Sequence, residues 1–400
     1  MLMITYVRGL ALVGPWLLCL TLLVNAQTAA DYHFTSGHSA PGVPFELSGE
    51  LMLVKVRVNT SKPLNFIFDT GAAISVIDPR TAKALGLRAK GKLKLDATGG
   101  SVQSGLIEGV SLSIAGVEVF NQSLATVDLD AAAPLFGFRI DGIIGHDFIN
   151  HFVVEIDYAS SVMNLYEAQG YKYSGAGESI PLEIIDKTVF VRGRIVLNGR
   201  EPIEGKFEVD TGGTGILNLN TPFVNQHKML ETLGKQAQSK LGGAGGLSAA
   251  VKARVLAVEV GSFVIQNPLV VFARGTEGSE NSSEYDGVLG DGFFSQFKMI
   301  LDYSRLRLTL ERNERPAMDL SGIEIVAEPP RFRTYTINAV AENSPAAVAG
   351  VHEEDTLIAI DGRSASRLTL RQLRRLFTYP GTHLLTLRRG SKTIHLRLRV

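Results

Sequence analysis

The sequence predicts a mainly β chain of two related lobes followed by a smaller α+β module, and three observations carry that reading. Asp-Thr-Gly occurs twice, each time after an apolar, strand-like stretch, in FIFDTGAAI (66–74) and FEVDTGGTG (207–215). A second pair of segments repeats further on: DGIIGHDFINHFVVEIDYASSVMNLYE from Asp141 and DGVLGDGFFSQFKMILDYSRLRLTLE from Asp286. Beyond Gly322 the pattern changes and matches neither copy. A duplicated unit with matching landmarks in matching order is the signature of an internal repeat.

The chain opens with MLMITYVRGLALVGPWLLCLTLLVNAQ, in which Arg8 precedes an apolar run over 10–24 and a small-residue exit at Val24-Asn25-Ala26. This is the layout of a secretory signal, and the run falls short of the roughly 20 apolar residues that span a bilayer. Residues 1–26 are expected to be removed after Ala26, giving a periplasmic or secreted protein. An uncleaved membrane anchor is the alternative. The one cysteine, Cys19, lies in this segment, as does the one tryptophan, Trp16. The mature chain would then carry no thiol, which excludes a disulfide scaffold, a cysteine nucleophile and a cysteine-zinc site.

Forty basic residues balance forty acidic ones, so the chain lacks the positive surplus that phosphate backbones attract. Nucleic acid is not an expected partner, nor is a membrane beyond the signal segment.

The first lobe is placed at 27–172 and the second at 173–313, with the joint near GYKYSGAGES (170–179), where Gly and Ser replace apolar periodicity. VPFEL at Val43 recurs as IPLEI at Ile180. GVSLSIAGVEVF and RVLAVEVGSFVI alternate with a period near two and turn at Gly, as paired strands do. DPRTAKALG is a short helix, with Asp78 as its cap and Pro79 opening it.

The third module, 322–400, reads as a strand, a short helix from Ser344-Pro345, a strand ending at Asp361-Gly362, the helix LRQLRRLF and a terminal hairpin. It holds twelve Arg and Lys against seven Asp and Glu, read as a solvated basic surface.

An aspartate at the end of a buried strand, followed by Thr and Gly, sits on a tight loop. The Gly allows close backbone approach and the Thr hydroxyl can bond backbone across the loop. Two such loops in a duplicated domain face each other across a pseudo-twofold axis, which would bring Asp69 and Asp210 within hydrogen-bond reach. Like-charge repulsion then raises one of the coupled pKa values and leaves a single shared proton. The ionised member takes a proton from water while the protonated member polarises a carbonyl, so an amide is hydrolysed without a metal or other cofactor.

FDTGA and VDTGG, with Ile143-Ile144-Gly145 and Val288-Leu289-Gly290, resemble the aspartic proteases of pepsin-like and retropepsin-like type over about 43–312. The resemblance implies a bilobal β fold with Asp69 and Asp210 as the catalytic dyad. It also implies that Thr70 and Thr211 interlock beneath the dyad, supported by Gly71 and Gly212, and that each apolar-apolar-Gly packs on the loop of its own lobe. Candidate flap tips are ATGGS (97–101) and GGAGG (242–246), with Gly99, Gly100, Gly243 and Gly245; neither holds the tyrosine of a pepsin-like flap. Two Gly-rich tips look more like a retroviral protease dimer fused into one chain. His146 follows the first apolar-apolar-Gly where Asp291 stands in the second copy, which favours a surface or packing role. The eight histidines show no His-Glu-x-x-His spacing, and no Gly-x-Ser-x-Gly elbow occurs.

ENSPAAVAG (342–350), DTLIAIDGR and YPGTHLLTLRRG resemble a PDZ domain in its bacterial strand order, covering about 322–400. Such domains add an extended peptide to a sheet edge and capture its C-terminal carboxylate. PRFRT (330–334), ahead of the strand at Tyr335, is the candidate carboxylate loop. Together the three parts look like the bacterial aspartyl proteases with a C-terminal PDZ domain, which bind peptides or unfolded proteins. A non-catalytic periplasmic peptide-binding or scaffold protein on the same fold is the competing expectation.

Overall fold

The computed structural model describes residues 31–48, 50–313, 321–341, 344–377 and 380–400, so residues 1–26, the expected signal segment with Cys19, lie outside the described residues. Strands dominate, in four sheets. No helix among the described residues is long and apolar enough to cross a membrane.

The two copies build their sheets on one plan. In a nine-stranded sheet, Leu64–Phe68 runs parallel to Gly142–Ile144, with Phe66 opposite Gly142 and Phe68 opposite Ile144. In a ten-stranded sheet, Ile203–Val209 runs parallel to Gly287–Leu289, with Phe207 opposite Gly287 and Val209 opposite Leu289. Parallel neighbours need a long crossover, and each copy supplies it with its flap hairpin and the strands between. The glycine opening the second strand of each pair is dictated by closeness. A Cβ on Gly142 would lie 2.2 Å from Phe66 Cε1, and one on Gly287 would lie 2.5 Å from the Asn218 carbonyl oxygen.

The helix after the first Asp-Thr-Gly spans Pro79–Ala84, and its cap Asp78 accepts a 2.9 Å bond from the Arg80 amide. The second copy repeats it as Thr221–Gln226, behind Asn220.

A third sheet joins the copies. Its six strands run in the order Glu178–Pro181, Arg307–Arg312, Phe297–Asp302, Phe152–Asp157, Val162–Glu167 and Ser39–Pro44. The central pair takes one strand from each copy, Val154 opposite Leu301 and Ile156 opposite Met299. The side chains beneath, among them Phe148, Phe152, Phe293 and Phe297, belong to one apolar cluster that runs through both copies.

The third module has its own sheet, in the order Ile323–Ala327, Tyr335–Val340, Thr356–Ile360, Thr382–Arg389 and Lys392–Arg399, and its own core. Ser344 caps the helix Pro345–Ala349, and Thr369 with Gln372 forms a capping box at Leu370–Leu376. Asp355, fully buried, is gripped by Arg389 through two bonds of 2.7 Å. The module rests on the first copy, where Arg371 pairs with Glu46 at 2.7 Å and a Cβ on Gly137 would meet Leu370 Cβ at 3.0 Å.

One expectation fails here. Residues 330–334 form the turn between Ile323–Ala327 and Tyr335–Val340, and the first residues of the latter strand, Tyr335 and Thr336, are already paired on both sides. A peptide has no edge to join there. The edge strands are Ile323–Ala327 and Lys392–Arg399; the first is entered from Ser321-Gly322, and Arg374 of the neighbouring helix donates to its Ile325 carbonyl at 2.8 Å.

Candidate active site

Both Asp-Thr-Gly loops start where a central strand ends, and the following parallel strand fixes each aspartate. The Asp69 amide donates to the Ile144 carbonyl and the Asp210 amide to the Leu289 carbonyl, both at 3.0 Å. The apolar-apolar-Gly segments then close on their own loops: the His146 amide donates to the Ala72 carbonyl and the Asp291 amide to the Gly213 carbonyl, both at 2.8 Å.

The threonines cross between copies. Thr70 Oγ1 donates to the Val209 carbonyl at 2.6 Å and accepts from the Thr211 amide at 3.0 Å. Thr211 Oγ1 donates to the Phe68 carbonyl at 2.9 Å and accepts from the Thr70 amide at 3.2 Å. Both side chains are fully buried, so four backbone groups depend on two hydroxyls.

This clamp sets the two carboxyls side by side, within hydrogen-bond reach of each other. Asp69 Oδ1 accepts from the Gly71 and Ala72 amides at 2.9 and 3.0 Å, and Asp210 Oδ1 accepts from the Gly212 amide at 2.7 Å. The glycines make room for the opposite aspartate. A Cβ on Gly212 would lie 2.3 Å from Asp69 Cγ, and one on Gly71 would lie 2.8 Å from Asp210 Cγ.

Burial raises the Asp69 pKa well above the usual carboxylate range, and the neighbouring Asp210 charge adds to it. Burial raises Asp210 too, offset by its hydrogen bond from Asp69 and by surrounding amides. The pair therefore retains one proton where isolated carboxyls have lost theirs.

A third carboxyl, Glu208, stands beside the pair; its Oε1 would be 2.8 Å from the same Cβ on Gly71. Burial pushes its pKa well up, followed by the charges of Asp210 and Asp69. Sequence reading passed over it. The signal was present in the alignment of the copies, where Glu208 stands in the place of Ile67, two residues before the aspartate.

The four glycines expected at flap tips bring the two hairpins into contact. The Gly245 amide donates to the Thr98 carbonyl at 3.0 Å. Cβ atoms on Gly99, Gly243 and Gly245 would each lie 2.6 Å or less from the opposite hairpin, and one on Gly100 would lie 3.3 Å from the Gly245 carbonyl oxygen. Gly99 and Gly100 also hold φ values of 88° and 142°, which disfavour side chains. Glu280, from the second copy, accepts from the Gly99 amide at 3.2 and 3.1 Å and so pins the first flap.

His146 is buried, with its ring edge-to-face on Tyr303 at 5.2 Å. Burial lowers its pKa to about 4, so it is neutral packing. At the matching place in the second copy, Asp291 accepts from the Tyr158 hydroxyl. Among the described residues no set of three or more His, Cys, Asp or Glu side chains is arranged to hold a metal ion.

Residues 54–148 match the aspartyl protease family model. The matched segment contains Asp69-Thr70-Gly71 and Ile143-Ile144-Gly145. The match supports a hydrolase of the protease class whose partners are peptides or proteins, and the mainly β architecture is consistent with it. Residues 207–215 fall outside the matched segment. No curated protein matches the chain.

Proposed function

We propose that the protein is an aspartic endopeptidase that hydrolyses peptide bonds with a water molecule activated between Asp69 and Asp210. The observation that carries this reading is the adjacency of two half-buried carboxyls whose surroundings favour one proton between them. The ionised carboxyl removes a proton from water as its oxygen attacks the peptide carbonyl carbon. The protonated carboxyl gives its proton to the carbonyl oxygen, and collapse of the tetrahedral intermediate returns a proton to the leaving amine. The threonine clamp keeps both carboxyls in place through the cycle, and the joined flaps exclude bulk water.

In this reading residues 27–172 and 173–313 are two pseudo-twofold lobes, and residues 322–400 are a PDZ-like module that recruits protein substrates. Recruitment works through local concentration: a tethered grip holds a chain near a cleft that binds it weakly. The sheet edge beside the helix Leu370–Leu376 is Ile323–Ala327, and since Ala133–Phe136 of the first copy also packs on that strand, a peptide joins it only by displacing that contact. Residues 1–26 act as the export signal, so the enzyme works in the periplasm or outside the cell.

The test offers the mature protein an unfolded protein and a peptide library from acidic to neutral pH, beside Asp69→Asn and Asp210→Asn. Cleavage abolished in both variants supports the enzyme. Binding without cleavage in the unsubstituted protein turns the reading to a peptide-binding scaffold.

A further inference from the structure

The two faces that flank the dyad differ in chemistry although the copies share one plan. In the first copy, Ile67 lies between Leu53 and Ile143, and its face belongs to an apolar cluster with Val76 and Val127. In the second copy the corresponding strand places Glu208 between Phe190 and Val288.

Nothing in the fold requires a carboxyl there, since the equivalent site is filled by isoleucine. A carboxyl at 8% exposure is costly unless paired. The charges that act on Glu208 are Asp210 and Asp69, which repel it, and the neighbouring Tyr285 hydroxyl donates to the Ser279 carbonyl at 3.2 Å. Among the described residues no Lys, Arg or His lies in salt-bridge range of it. Lys206, on the same face, instead sits 5.2 Å over the Phe190 ring. Phe190 and Tyr285 stack with centroids 5.4 Å apart, so Glu208 is bordered by two aromatic rings. A carboxyl beside an aromatic pair, next to the reacting groups and without an ion-pair partner, is a receptor for a cation.

We propose that Glu208 is a specificity-determining residue, receiving a lysine or arginine side chain of the substrate immediately beside the scissile bond, while the Ile67 face receives an apolar side chain. The proposal rests on the protease reading for its cleft and deepens it by naming the substrate class, polypeptides with a basic residue at the cleavage point. Glu208 touches the substrate side chain and takes no part in proton transfer to the peptide bond.

The test uses the mature full chain and peptides that differ only at the two residues flanking the cleaved bond, carrying Lys, Arg, Leu or Glu. The unsubstituted protein is expected to prefer Lys or Arg over Glu at one flanking position by roughly a hundredfold in kcat/KM. Glu208→Gln, which keeps shape, removes that preference, and Glu208→Leu moves it to Leu. A purely structural role would lower every rate alike. A basic preference that is absent, or that survives in Glu208→Gln, overturns the proposal. Affinities of the same peptides for Asp69→Asn separate it from the protease reading. Basic peptides binding tighter, with the difference lost in Asp69→Asn/Glu208→Gln, support the receptor even where nothing is cut. Equal binding of basic, apolar and acidic peptides overturns it.

Discussion

Thr70 and Thr211 each use one hydroxyl to serve two backbone groups of the opposite copy, and neither has another route to satisfy them. Valine at either position keeps the volume and leaves a buried carbonyl and a buried amide without partners, at about 1–3 kcal/mol each. Thr70→Val and Thr211→Val are each expected to lower the stability measured by urea unfolding. The double variant should lose less than the sum, because the two hydroxyls serve one network.

Replacing either aspartate tests the dyad. Asp69→Asn or Asp210→Asn is expected to reduce cleavage by about 10²–10⁴-fold or more, the usual contribution of general acid-base catalysis. Peptide binding should persist in both.

The raised pKa values carry a sign for stability. Asp69 and Glu208 are higher in the folded protein than in the unfolded chain, so ionising them costs folded-state stability. Their contribution is complete below the unfolded carboxylate range, near pH 4, and is lost as pH rises through the raised values. Asp78, Asp302 and Asp355 are lowered by their arginine and amide partners, and their contribution disappears as pH falls through those lowered values. The Tm should therefore be highest in mildly acidic solution, with Glu208→Gln flattening the decline toward neutral pH. Calorimetry across pH checks both slopes.

The flap latch is a local feature with a local readout. Glu280→Ala removes the acceptor of the Gly99 amide and should speed hydrogen exchange across residues 97–101 while leaving 64–68 protected. Exchange unchanged at the tip would show that the Gly245 bond to Thr98 alone holds the closed arrangement.

In the third module, Arg389→Ala strands a fully buried Asp355 carboxylate, at about 3–5 kcal/mol. The module should unfold at lower denaturant while cleavage of a short peptide is retained, which separates its stability from that of the cleft.

The duplicated Asp-Thr-Gly and apolar-apolar-Gly segments were legible because glycine and aspartate at fixed places in apolar strands have few structural uses. The helix at Pro79–Ala84 was equally readable from its Asp78 cap. The sheet shared between the copies was not, because strand pairing partners far apart leave no local mark: Val154 and Leu301 are ordinary buried residues until they meet. Glu208 was hidden by attention to what the copies share, when its meaning lies in where they differ from Ile67. The turn at 330–334 misled because a sheet's interior and its edge are set by pairing across 323–340, which residue types alone do not reveal.

The strand pairing of Phe152–Asp157 with Phe297–Asp302 makes each copy an unfinished object. Severed from its twin, either would present a bare, apolar strand margin with nothing to zip against, an invitation to homodimers or aggregates. The seam also ties the halves together through one continuous sheet, so in the proposed enzyme the glycine tips are the parts that open to admit a chain, and stiffening them should slow turnover.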